Sequence, residues 1–306
     1  MTINSGIGAK SLTANAMITR NGAWVESAGL VKRRMRSRRQ LGLKTVLVIF
    51  AAVALGPYLF MVVTSFKTNQ QFAENFWQIS FPLHFENYGV AWNQVAPYLF
   101  NSILVSLVSI VAILVIASIS GFTLARYRFA GKTLIFGAVL VLMMVPGIAS
   151  LIPLFILMKD LGLLNTYVAL VVPYTAGGVV LGTILMKNFV EGIPQTIFDA
   201  ARVDGASAVR IYRSIMLPLS LPVLGTISLV TVSAVWNDFF WPLLVITDNQ
   251  LRTVSVGLQF FQGQNATDWG PLMAGYLIGS LPLVVLFTFL SKYFLAGVQG
   301  GIGGAH

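Results

Sequence analysis

Few residues in this 306-residue chain are equipped for chemistry, and where they stand is informative. The two histidines, His84 and His306, are far apart in the chain, and there is no cysteine. That leaves no His- or thiolate-based metal site and no cysteine nucleophile. Gly131-Lys132-Thr133 looks like the end of a phosphate-cradling loop. Such a loop needs a second glycine five residues before its Gly-Lys pair, and Arg126 stands there. No nucleophile has a base beside it, so no catalysis and no ATP hydrolysis is expected of this chain. One carboxylate, Asp238 in VWNDFFWPLL, lies well inside an apolar stretch. An ionised Asp at the centre of a spanning helix costs about 2.5–3.5 kcal/mol on insertion scales. Without a His, a Lys or a second acid nearby it makes a poor proton relay, so a driving force for transport must enter from elsewhere. The other concentration of charge is DAARVDGASAVRIYRSIMLPLSLP, Asp199 to Pro222. It carries two acids, three arginines and Gly205 between two strongly apolar stretches.

The elements that must position these residues follow from composition. The chain is 56% hydrophobic and 10% charged, against about a quarter charged in soluble domains. A chain this short cannot hide so much apolar surface from water, so lipid is its solvent. A spanning helix needs about 20 apolar residues. Six stretches qualify, at roughly 44–66, 98–125, 134–158, 166–187, 221–246 and 271–292. The fold class is therefore all-α, with six transmembrane helices. Pro146–Gly147, with Pro153, predicts a bend in the third span. Gly178 and Gly182, four apart, either admit a closely packed helix or merely add flexibility.

Lys and Arg set the orientation. With the N-terminus inside, every one of the 20 except Lys67, Lys159 and Arg252 falls on the cytoplasmic side. The segment from Asp199 is then cytoplasmic. The KRRMRSRR run from Lys32 reads as a helix flank drawn to anionic lipid rather than as a nucleic-acid site. Residues 1–43 form a basic tail expected to be disordered, with no cleavable signal peptide. Residues 44–295 form the six-span domain, with a cytoplasmic loop at 188–220, and 296–306 form a cytoplasmic tail. Trp77, Phe81, Phe85, Tyr88 and Trp92, in the first outside loop, read as interfacial anchors.

The loop itself has a pattern. Ile193–Pro194 opens a helix, since proline suits a first turn. Ile197, Phe198, Ala201 and Val203 give it an apolar side. Gly205 breaks it, and a second helix, about 206–216, ends at Leu217–Pro218 and launches the fifth span. Small alanines on this helix–Gly–helix knob suit close approach by another protein. On the residues alone a docking knob and an amphipathic loop lying on headgroups both remain open.

The spacing decides between them by resemblance. Asp199-Ala200-Ala201, three residues, Gly205, nine residues, Ile215, one residue, Leu217-Pro218 resembles the EAA loop of ATP-binding-cassette importer permeases. Asp199 replaces the usual Glu. WNDFFWPLLV from Trp236, NSILVSLVSIVAILVIASISGFTLARYRFAGK from Asn101 and KYFLAGVQGG from Lys292 resemble the carbohydrate-uptake subclass, of the maltose-permease second-subunit type. The resemblance implies a bacterial inner-membrane permease working with a second permease, two cytoplasmic ATPase subunits that hold ATP and Mg, and an extracytoplasmic solute-binding protein. Residues 199, 200, 201, 205, 215, 217 and 218 would couple ATPase closure to alternating access, and the spans would carry a sugar.

For the substrate path, Trp236, Phe239, Phe240 and Trp241 flank Asn237 and Asp238. Aromatic faces suit sugar faces and the polar pair suits hydroxyls, but ordinary packing within the membrane is the competing reading. Glycerol phosphates or acidic sugars as cargo, a secondary transporter working alone, and a membrane-embedded enzyme are the alternatives.

Overall fold

A computed structural model describes residues 42–264 and 268–302, with side chains left out at residue 290 and from 292 onward. The expected basic tail therefore lies outside the described residues except for Gly42 and Leu43, as do the last four residues. The chain divides into two compact units, Met1–Phe60 and Met61–His306. Among the described residues every regular element is helical. In the first unit these residues form the start of α1 (Gly42–Ser65), an apolar helix long enough to cross a membrane.

The second unit contains α2 (Asn69–Glu74), α3 (Glu86–Arg126), α4 (Lys132–Met144), α5 (Gly147–Asp160) and α6 (Val168–Gly192). It continues with α7 (Gln195–Val203), α8 (Ala208–Leu219), α9 (Leu221–Asn237), α10 (Phe240–Val245), α11 (Val254–Gln264) and α12 (Trp269–Ile302). By length and composition α1, α3, α6 and α12 are spans in their own right, and the pairs α4–α5 and α8–α9 raise the total to six if each is one bent span.

The third span does more than bend. α4 and α5 meet at 98°. A residue before proline is pushed out of the helical region, and Val145 and Pro146 both adopt extended ψ angles, 119° and 125°. Pro153, by contrast, sits inside an unbroken α5. The second span starts earlier than its hydropathy predicts. Residues 86–97, expected as outside loop, are the first three turns of α3. Ala91 and Val95 among them are buried with Trp236, Phe261 and Leu272, while Val90 and Trp92 stay exposed, so tertiary packing along one face supplies what the local sequence lacks. The last span likewise outruns its expected end, its helix running on into the segment expected as a C-terminal tail.

Among the described residues α3 and α6 share the most extensive contact of any helix pair. A Cβ added at Gly178 would lie 2.3 Å from Ile113 Cδ1, and one at Gly182 2.9 Å from Ala117 Cβ. These glycines let the two backbones approach, the use small residues have between membrane helices. In the segment expected as the first outside loop Trp77, Phe81, Phe85 and Trp92 are exposed, whereas Tyr88 turns inward and shares a 2.7 Å hydrogen bond with Ser65. Lys67, counted from sequence among the outside charges, is 1% exposed and donates to the carbonyls of Asn75 and Phe76.

Candidate functional site

The loop 188–220 is built on a buried base. α6 stops at Gly192 because Pro194 follows, and Pro194 in an extended conformation launches α7. Phe198 and Ala201 on α7 are buried with Phe122, Met186, Val190, Ile211, Met216 and Ile227. The Arg126 guanidinium, at the end of α3, lies 4.3 Å from the centre of the Phe198 ring. It also donates to Gln195 Oε1 at 2.7 Å and to the carbonyls of Val190 and Ile193. One arginine thus holds the end of α6 and the start of α7 together, using the fork geometry and planar face that distinguish it from lysine.

α7 ends in a Schellman arrangement. The Gly205 N–H bonds the Arg202 carbonyl at 3.0 Å, and the Ala206 N–H reaches five residues back to Ala201 at 2.9 Å. This requires a left-handed residue after the cap, and Gly205 supplies φ +77°. Ser207 then caps α8, its side chain accepting from the Arg210 N–H.

The motif residues divide by face. Ala201 is buried, and Ile215 and Leu217 pack against the same core. Asp199, Ala200, Gly205 and Pro218 are exposed. Of the two alanines expected to admit a partner, only Ala200 faces outward. The reason is the 3.6-residue period, which puts Ala201 beside Phe198 on the inner stripe. The expected apolar side is also split: Phe198 goes inward, while Val203 is 88% exposed. Val209, on α8, is 64% exposed. Asp199 bonds along its own helix, accepting from Gln195 at 2.9 Å and Arg202 at 3.1 Å.

Pro218 does not end α8. The segment Tyr212–Met216 is a π turn in which the Leu217 N–H bonds the Tyr212 carbonyl. The wider turn accommodates a proline that has no N–H to place. The chain breaks one turn later, at Ser220, where α8 and α9 meet at 70°.

The six candidate substrate-path residues do not share one surface. The fifth span, expected to be continuous over 221–246, breaks after Asn237. Trp236 and Trp241 are buried, and each indole N–H donates to a backbone carbonyl, of Gly279 at 3.2 Å and Ala169 at 2.9 Å. Asn237 and Phe240 are exposed, and Phe239 is half-buried. Asp238 holds the break. Its carboxylate accepts from the Tyr174 hydroxyl of α6 at 2.9 Å and from the Trp241 N–H at 3.3 Å, and its carbonyl accepts from Ser255 at 2.6 Å. Beside it, a cleft of about 290 Å³ opens between α6 and α9, lined by Tyr174, Gly177, Leu181, Ile227, Thr231 and Ala234 among others. No sequence pattern announced that cleft. Tyr174 was detectable only as one of several hydroxyls in an apolar span, and Arg126 counted only as a cytoplasmic charge.

Residues 113–300 match the family described as binding-protein-dependent transport system inner membrane component. The chain belongs to this family. It is a membrane component of a transport system, and its relatives bear that out over most of its length. It is 33% identical over 275 residues to the probable ABC transporter permease protein YurM of Bacillus subtilis (strain 168), covering 89% of this chain and 92% of that one. It is 32% identical over 261 residues to the arabinooligosaccharides transport system permease protein AraQ of Halalkalibacterium halodurans, covering 83% and 93%. A bacterial ABC transporter involved in the import of the acidic polysaccharide alginate has a chain of the same fold, with a TM-score of 0.69 at 24% identity over 85% of this transport component and 98% of that chain.

Proposed function

We propose that this inner membrane component is one of two permease subunits in an ATP-driven, binding-protein-dependent importer of sugars or oligosaccharides. The sugar class rests on relatives whose names carry it, including permeases for arabinooligosaccharides, for melibiose, raffinose and stachyose, and for trehalose and maltose. In this reading the loop 188–220 is cytoplasmic and docks on an ATPase subunit. ATP and Mg belong to the two ATPase subunits, and a solute-binding protein delivers cargo on the other face. Asn237, Phe239 and Phe240, with the cleft beside Asp238, are the side chains of the proposed path left available to a passing sugar.

The observation that carries the reading is the pairing of a locked base with an apolar tip. Val203 and Val209 stand exposed on a loop whose opposite face is buried and clamped. An amphipathic loop lying on headgroups would turn its apolar stripe to the membrane. Here that stripe, Phe198 and Ala201, is already used within the protein.

Replacing both Val203 and Val209 with Glu is expected to leave insertion intact but strip ATPase subunits from the purified complex and abolish uptake into vesicles. ATPase recovery equal to wild type would overturn the docking reading. Asp199→Glu should be silent, because the side chain is exposed and its partners on α7 remain within reach. The chain's lack of cysteine allows a clean topology measurement. Cysteines placed at the exposed Ser207 and Gln264 are expected to react with an impermeant maleimide from opposite sides of the membrane, and reaction from one side would refute the layout.

A further inference from the structure

α3 is fastened by polar contacts at its C-terminal end and again toward its N-terminal end, to different segments of the chain. At its C-terminal end are the Arg126 contacts to Gln195, Val190, Ile193 and Phe198. Two turns earlier Ser118 shares a 2.7 Å hydrogen bond with Tyr212, the first residue of the π turn in α8. Both halves of the docking loop are therefore tied to α3, although neither adjoins it in sequence. Toward the other end, the Asn101 amide donates to the carbonyls of Gln250 and Arg252 at 2.7 and 2.9 Å. Tyr98 donates to Asn249 at 2.9 Å, and Ser102 accepts from the Val254 N–H at 2.8 Å. This is the connection between the broken fifth span and α11, on the face opposite the loop. Tyr167 donates to the carbonyl oxygen of the same Asn101 side chain at 2.8 Å, which fixes the amide's orientation.

Between Asn101 and Arg126 lies one uninterrupted helix. At 1.5 Å per residue this is a strut of roughly 40 Å, the thickness of a bilayer with its headgroup layers. Pro97, the proline inside α3, lies outside that stretch. The covalent route from the loop into α9, by contrast, passes through a π turn and a 70° break at Ser220, both of which can absorb movement.

We infer that α3 is the strut that joins the docking loop to the opposite-face segment 247–254, with Arg126 and Asn101 as positioning residues at its two fastened ends. This rests on the proposed function: a loaded binding protein seated near residues 247–254 would signal through α3 to the ATPase subunit seated on α7 and α8. Coupling through α3 requires that perturbations at its two fastened ends interact energetically.

The test is a double-mutant cycle on the whole complex reconstituted in vesicles, read as the stimulation of ATP hydrolysis by sugar-loaded binding protein. Arg126→Lys keeps the charge but loses the forked contacts, and Asn101→Ala frees segment 247–254. Each alone is expected to lower stimulation, per ATPase subunit recovered with the complex, about tenfold, within the range of known allosteric couplings, while basal hydrolysis persists in Asn101→Ala. The double variant is expected to be no worse than either single one, because a strut cut once is already cut. Multiplying effects, or full stimulation in Arg126→Lys, would overturn the inference. Tyr98→Phe, which removes a single hydroxyl, replaces Asn101→Ala if that variant fails to insert. Failure of the docking reading shows separately, in the otherwise wild-type complex, as the lack of a crosslink between a cysteine at Val209 and the ATPase subunit.

Discussion

Gly205→Pro is expected to abolish uptake while leaving the spans inserted. Two losses combine at this position. Proline fixes φ near −65°, and the native value is +77°. Proline also has no N–H, so the bond to the Arg202 carbonyl disappears and the Schellman closure opens. α7 would then leave its cap in a different direction from α8, and Val203 and Val209 could not present one surface. Gly205→Ala separates the two causes. A Cβ there meets nothing within 4 Å, so alanine keeps the N–H and incurs only the left-handed penalty, about 1–2 kcal/mol. The alanine variant should retain ATPase subunits and most uptake, and the proline variant neither. Normal uptake by Gly205→Pro would show that the direction of the bend is irrelevant to coupling.

Asp238→Leu is expected to destabilise the membrane domain more than any change at its exposed neighbours. The substitution leaves the half-buried Tyr174 hydroxyl without its acceptor, toward the lower end of the about 1–3 kcal/mol that a fully buried group costs. It also uncaps the first turn of α10, for about another 1 kcal/mol. Asp238→Asn retains an acceptor and should recover most of the loss. The measurement is the melting temperature of the detergent-purified complex, paired with uptake. Asn237→Ala is the contrast. Asn237 is exposed and bonds only its own helix at Ser233, so its removal should spare the melting temperature and reduce uptake. A wild-type melting temperature in Asp238→Leu with uptake lost would make the carboxylate a substrate contact instead of the pin of the broken span.

These two residues mark the line between what sequence and structure each disclose. Gly205 was legible. Its place between two short helical patterns, and its distance from Asp199-Ala200-Ala201 and Leu217-Pro218, identified the loop and its bend before any coordinates. The apolar stretches were legible too, because a bilayer requires about 20 apolar residues of any helix that crosses it. Lys and Arg placement predicted which loops share a side, by a rule that does not need the fold. Pro146 announced the break in the third span, since proline acts on the backbone locally.

The faces were not legible. In lipid a helix is apolar toward its neighbours and toward the solvent alike, so periodicity does not separate the two as it does in water. Trp236 and Phe240 therefore looked equivalent in sequence, and only packing buries the first and exposes the second. The interruption at Asp238 was only half announced. Pro242, four residues on, has no N–H to give the Asp238 carbonyl, but what pins the break is Tyr174, Trp241 and Ser255, which converge on one residue from three elements. Arg126 is the same case at the base of the loop. From sequence it was one charge among those expected on the cytoplasmic side, and its partners lie more than sixty residues away along the chain. The sequence determined the spans, their order and the composition of the loop, because those are local responses to lipid and to backbone chemistry. The tertiary structure decided which side chains are fixed and which are free, because that depends on what each helix meets across the fold.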